Sequence, residues 1–129
     1  MTGKLDEYIK YRINKSRETF EDATLLCENQ RWNSAVNRLY YSSFYLVSAL
    51  IYKAGIKAVS HNGTKTQFNL HFIKSGIISL EHGKLFANLF DWRQETDYAD
   101  FIDFEKEFVI DLLANTKNFN ATVLNQLYP

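Results

Sequence analysis

Only one proline and five glycines interrupt a chain of 129 residues. An all-β chain reverses direction about every ten residues and uses Gly and Pro to do so. Punctuation this sparse predicts long helices instead. The length allows one domain, residues 1–129. It is too short for a (β/α)₈ barrel, or for a doubly wound nucleotide fold with a substrate domain. Hydrophobic residues at 46% and aromatics at 16% supply a large core and argue against disorder.

Hydrophobic spacing places the helices. Leu5, Ile9, Ile13, Phe20, Ala23 and Cys27 recur at helical intervals, predicting a first amphipathic helix over residues 5–27. Asn29-Gln30-Arg31 is a short break. Trp32, Ala35, Val36, Leu39, Ser43, Leu46, Val47, Leu50 and Ala54 trace one face of a second helix, with Gly55 as its left-handed cap. Thr64-x-x-Gln67 matches a capping box, so a short helix is expected from Thr64 to about Ser75, stopped by Gly76. A fourth helix is expected over residues 79–98, loosened at His82-Gly83. A fifth is expected from an Asp103 N-cap to Leu127, with Phe104, Phe108, Leu112, Phe119, Val123 and Leu127 inward. Four long helices with short connections predict an all-α, antiparallel, up-and-down four-helix bundle with an additional short helix across one end.

The formal charge is zero, but it is unevenly spread. Residues 29–80 carry six bases (Arg31, Arg38, Lys53, Lys57, Lys65, Lys74) and no acid. Residues 81–129 carry nine acids and four bases. Two uses fit this pattern: ion pairing between the halves of a bundle, or an anion site for phosphate or RNA on the cationic half. The neutral total argues against strong non-specific nucleic-acid binding. Cys27 is the single cysteine, which excludes an internal disulfide and a cysteine-based zinc site. His61, His71 and His82 show no metal-ligand spacing, so neither a metal nor a cofactor is expected. The first residues are too charged for a signal peptide, and no apolar run reaches bilayer length, so a soluble, cytoplasmic protein without membrane contact is expected.

Three clusters could carry chemistry. On the second helix Arg38, Tyr41 and Tyr45 share a face beside the apolar one, with Asn37 adjacent. The bland reading is a helix buried on two sides, with tyrosines spanning core and rim. On the fourth helix Arg93 and Asp97 lie at i and i+4, with cation before anion, the weaker order for local helix stability. Asp97 could instead pair with Arg38 across the bundle. The third cluster is Ser60-His61-Asn62-Gly63-Thr64-Lys65. There the amides of a helix start and Lys65 could hold a phosphate, although the P-loop spacing is absent.

In this order, Asn37-Arg38-x-Tyr40-Tyr41-x-x-Phe44, Ser60-His61-x-Gly63 and Arg93-x-x-x-Asp97-Tyr98 resemble the HEPN domain, in particular its small stand-alone prokaryotic branch. The resemblance covers about residues 5–127. It implies a helical bundle that forms a homodimer. It also implies nucleotide or RNA binding, with either a nucleotidyltransferase partner or a toxin–antitoxin or defence role. Many members are metal-independent ribonucleases, whose signature is an arginine followed four to six residues later by histidine, with two subunits' copies facing each other.

Arg93 matches that arginine, but Tyr98 stands where the histidine would be, and His82 is the last histidine in the chain. A phenol ordinarily titrates near 10, so it is a poor base at neutral pH. Asp97 and Asp100 beside it add negative charge. An ideal helix also turns about 140° between positions 93 and 98, so the two share a site only if the helix ends there or a second subunit supplies one. The expected ligand-binding residues are therefore Arg93, Asp97, Tyr98, Asn37, Arg38, Tyr41, His61 and Lys65. A binding module is favoured over two alternatives: a divergent ribonuclease using Arg93, Tyr98 and His61, and a purely structural dimerisation module.

Overall fold

The computed structural model describes residues 2–98 and 102–129, and the described residues hold helices and no strand. The long helices are α1 (Thr2–Glu28), α2 (Trp32–Lys53), α4 (Leu80–Tyr98) and α5 (Lys106–Leu127). Between α2 and α4 lies the short α3 (His61–Phe68), which runs on into a π-helical segment, Asn69–Ile73.

The contacts fix the directions. Tyr8 meets Tyr52, Arg12 meets Tyr45 and Ser16 meets the Ser42 carbonyl, so α1 and α2 are antiparallel. Trp92 meets Phe108, Phe86 meets Phe119 and His82 meets Thr122, so α4 and α5 are antiparallel too. Asn33 binds Phe104, Ser43 binds Asn120 and Lys53 binds the Leu127 carbonyl, so α2 and α5 run parallel. This is an up-and-down four-helix bundle in which α2 packs against α1, α4 and α5.

The centrality of α2 explains its composition. Ala35, Val36, Leu39, Tyr40, Val47 and Ala49 are fully buried, and the solvent-facing Lys/Glu stripe of an ordinary surface helix is missing. Phe68, Phe86 and Phe119 join it from three helices, with the last two stacked at 5.7 Å. Inside this apolar centre, Ser43 Oγ donates to Asn120 Oδ1 (2.7 Å), and Asn120 Nδ2 donates to Ser42 Oγ (3.1 Å). A buried polar group is stable only when partnered, so these bonds select one register of α2 against α5. Ala54, expected on the inward face, is exposed because it already belongs to the α2 cap.

Turn chemistry is where the structure departs from the expected boundaries. Gly55 (φ +76°) and Gly76 (φ +82°) do end their helices in the left-handed region. The cap of α3, however, is Ser60 and not Thr64. Ser60 is extended and its Oγ accepts from Gly63 N at 2.8 Å, while the buried Thr64 hydroxyl donates back to the Ser60 carbonyl. Helix α3 therefore starts at His61, three residues before the expected Thr64 cap. Asp103 is not the cap of α5 either: the helix begins after Glu105. Asn33 of α2 holds the preceding stretch extended, donating to the Ile102 carbonyl and accepting from Phe104 N.

Gly83 does not loosen α4. It is buried in an unbroken helix, and a Cβ there would stand 3.0 Å from Ile73. Its role is close approach between α4 and the π-helical segment.

Candidate anion-binding site around Arg93

Arg93 is 8% exposed on the inner face of α4. Its guanidinium carbon lies 5.0 Å from the Tyr40 ring centre, 5.9 Å from Tyr41 and 5.6 Å from Phe90. Electron-rich ring faces hold a cation without neutralising it. One Nη reaches Asp97 at 3.5 Å, and Nε has no partner among the described residues. A buried guanidinium with an unused donor is poised for an anion.

Neighbouring side chains extend this centre. Arg38 lies 5.0 Å over Tyr41 and donates to Asn37 Oδ1 at 2.8 Å. The Asn37 amide donates in turn to Asp97 Oδ1 (3.3 Å) and Thr96 Oγ1 (3.2 Å). Asn37 thus stands between Arg38 and Asp97, and these two do not form the direct pair considered from sequence. Beside this chain of side chains is a cavity of about 320 Å³, lined by Asn37, Arg38, Thr96 and Asp97 among others but not by Arg93. Lys65 of α3 places its ammonium 4.2 Å over Phe90, on the ring that also contacts Arg93.

His61 joins from the first position of α3. The Tyr40 hydroxyl lies 2.8 Å from its Nδ1, and its ring packs 4.3 Å from Phe44 and 5.6 Å from Tyr41. Burial pushes the Tyr40 phenol far above its ordinary range, with the Arg93 charge pulling only partly back and Tyr41 raising it slightly. Tyr40 therefore keeps its proton within the hydrogen bond it shares with His61 Nδ1. Burial first, and the Arg93 charge second, lower the His61 pKa, so its imidazole is neutral at pH 7.

Of the expected site residues, Asn37, Arg38, Tyr41, His61, Lys65, Arg93 and Asp97 lie around one aromatic cluster. Tyr98 does not: α4 continues through it and it is 81% exposed, on a different side from Arg93. Asp100 lies outside the described residues. The residues missed from sequence are Tyr40 and Phe90, which join the charged side chains. Their signal was present: Tyr40 follows Val36 and precedes Val47 at helical spacing, and Phe90 precedes Arg93 by one turn.

The charge pattern also has a clear outcome. Arg93–Asp97, inside α4, is the one salt bridge among the described residues. The cationic middle of the chain is not neutralised there by the acidic last third. Among the described residues no group of three or more His, Cys, Asp or Glu side chains is placed to hold a metal, and no helix is long and apolar enough to cross a membrane.

Comparison with known proteins agrees with the sequence motifs. The HEPN domain family matches residues 9–126. A UPF0332 protein of Thermotoga maritima is 39% identical over 114 residues, covering 88% of this chain and 86% of that protein. Two Methanocaldococcus jannaschii proteins, each named "Putative toxin", are 32% identical (74% of this chain, 65% of theirs) and 28% identical (81% and 85%). With a matched span that holds the buried arginine, its tyrosine cradle and His61, this chain belongs to the HEPN domain family.

Proposed function

We propose that residues 1–129 act as a single homodimeric module that binds a nucleotide or RNA through the Arg93 site. We further propose that it works beside a nucleotidyltransferase or within a toxin–antitoxin or defence system in the cytoplasm. The observation that carries the reading is Arg93 itself: buried against three aromatic rings, with Nε unpartnered and a single half-exposed carboxylate as its counter-charge. Arg38 over Tyr41 and Lys65 over Phe90 share these rings with Arg93 and add positive charge around it. The names of the two Methanocaldococcus relatives support the toxin-type setting. The homodimer finds support in Leu70, Ile77 and Leu80, each about half exposed or more around the α3–α4 connection.

Fluorescence anisotropy with labelled single-stranded RNA tests the site. Arg93→Ala should weaken binding about tenfold, the loss expected for one charged hydrogen bond, while Lys74→Ala on the exposed surface stays within about twofold. Equal losses in both variants would refute a specific site. Light scattering at micromolar concentration should give twice the chain mass, and a clean monomer refutes the dimer.

One observation favours a second reading, a divergent ribonuclease: His61 lies on Tyr40, the ring over which Arg93 sits. The fold supplies from α3 an imidazole that α4 lacks.

A further inference from the structure

We propose that a second cavity, on the other side of His61, binds a free nucleoside 5′-monophosphate. It lies between the first half of α1, the last half of α2 and the loop leading into α3, and holds about 720 Å³. That is within the range of small-ligand sites. Tyr8, Arg12, Phe44, Tyr52, Lys57 and His61 line it, and no Asp or Glu does.

Two features define the ligand. The first is a set of ring faces. The ring centres of Tyr8 and Tyr52 lie 4.2 Å apart at a 34° tilt, with Tyr52 about half exposed, and Phe44 and His61 form a second tilted aromatic wall at 4.3 Å. Such walls accept a flat aromatic base of any sequence. The second is a cation held without an acid. Arg12 Nε donates to the Tyr8 hydroxyl at 3.1 Å, and its guanidinium carbon lies 5.2 Å from the Tyr8 ring and 5.5 Å from Tyr45. The two tyrosines fix the fork in place, while its terminal nitrogens have no partner among the described residues. A planar fork so held suits a phosphate, and Lys57 adds a second positive charge at the exposed rim.

A ring platform alone would take any apolar ring, and a cation alone would take any anion. Together they select an aromatic ring that carries a negative group, and nucleoside monophosphates combine the two. Asn37, Arg38, Lys65, Arg93 and Asp97 do not line this cavity, so it is separate from the Arg93 site.

Calorimetric titration of the full chain with AMP, adenosine and inorganic phosphate tests the proposal. The expected result is saturable binding of AMP at this cavity, at least tenfold tighter than adenosine or phosphate. Arg12→Ala and Tyr52→Ala should each weaken AMP about tenfold, with Lys74→Ala on the exposed surface unchanged within twofold. Circular dichroism checks that the variants fold. Should Arg12→Ala not fold, Lys57→Ala on the exposed loop carries the test, with a loss of about threefold. Absence of AMP binding at millimolar concentration overturns the proposal. So does a loss of AMP binding in Arg93→Ala with Arg12→Ala unaffected. A 5′-phosphorylated oligoribonucleotide that binds tenfold tighter than AMP through Arg12 also overturns it, in favour of a site for an RNA end.

Discussion

The Tyr40 hydroxyl lies 2.8 Å from Nδ1 of His61 and joins the middle of α2 to the first residue of α3. The same Tyr40 ring carries the Arg93 guanidinium at 5.0 Å. Three residues far apart in sequence thus form one electrostatic unit. Arg93 disfavours a second positive charge on His61, an effect secondary only to burial. Arg93→Met keeps the bulk and removes the charge, so the His61 pKa should rise towards the ordinary histidine value. Proton NMR titration of the imidazole checks this. An unchanged pKa would mean that burial alone sets it.

The lowered His61 pKa also makes folding pH-dependent, with a definite sign. Above the ordinary value of about 6.5, His61 is neutral both folded and unfolded, and it contributes no pH dependence. As pH falls through that value, the unfolded chain takes up a proton that the folded protein resists. The unfolded state then binds more protons, so stability declines until pH reaches the lowered folded pKa, and there the decline stops. Urea unfolding at pH 7 and pH 5.5 should show a smaller loss in His61→Gln than in the parent. Tyr40, Tyr41 and Arg93 face this ring and remain in both proteins.

The bundle was legible in the sequence because helical periodicity over twenty residues leaves few alternatives. The site was only partly legible. Arg93 and Asp97 were found together because an i, i+4 pair is a local relation. Tyr40 belongs to the motif but not to the expected ligand-binding residues, because a helix buried on several sides has no polar face by which to orient it. His61 falls outside the expected third helix because Gly63 occupies the place where a capping box would show Glu or Gln, and Thr64-x-x-Gln67 offers a better match three residues later. The Arg93–Tyr40–His61 relation depends on how α3 lies across α2 and α4, and no local spacing encodes that.

Gly83 was misread for a related reason: a glycine inside a helix is usually a weak point, but this one is a contact. Gly83→Ala would gain about 1 kcal/mol of helix propensity. Against this, the new methyl meets three carbons of Ile73 at 3.0–3.2 Å, and overpacking of this kind costs about 1–3 kcal/mol. A net loss of about 1 kcal/mol is expected in urea unfolding. In an Ile73→Ala background, which removes all three of those carbons, Gly83→Ala should no longer cost stability relative to Ile73→Ala alone. A single variant more stable than the parent would show that Ile73 yields freely.

The last prediction concerns RNA cleavage, which should be little or absent. Metal-independent cleavage needs a base for the ribose 2′-hydroxyl and an acid for the leaving oxygen. Arg93 can stabilise charge on the phosphate but cannot move protons. Tyr98, which stands where the signature histidine would be, is 81% exposed on a different side of α4 from the buried Arg93. That leaves His61, whose Nδ1 is already engaged in a hydrogen bond with a Tyr40 hydroxyl that burial keeps protonated. One free ring nitrogen per chain serves as acid or as base, not both, and the second role would have to come from the partner chain of a dimer. Purified protein incubated with a labelled RNA panel should therefore show no cleavage above that of Arg93→Ala. If instead the parent cleaves and both Arg93→Ala and His61→Ala abolish turnover, the imidazole from α3 has replaced the missing one on α4, and the binding module is an enzyme.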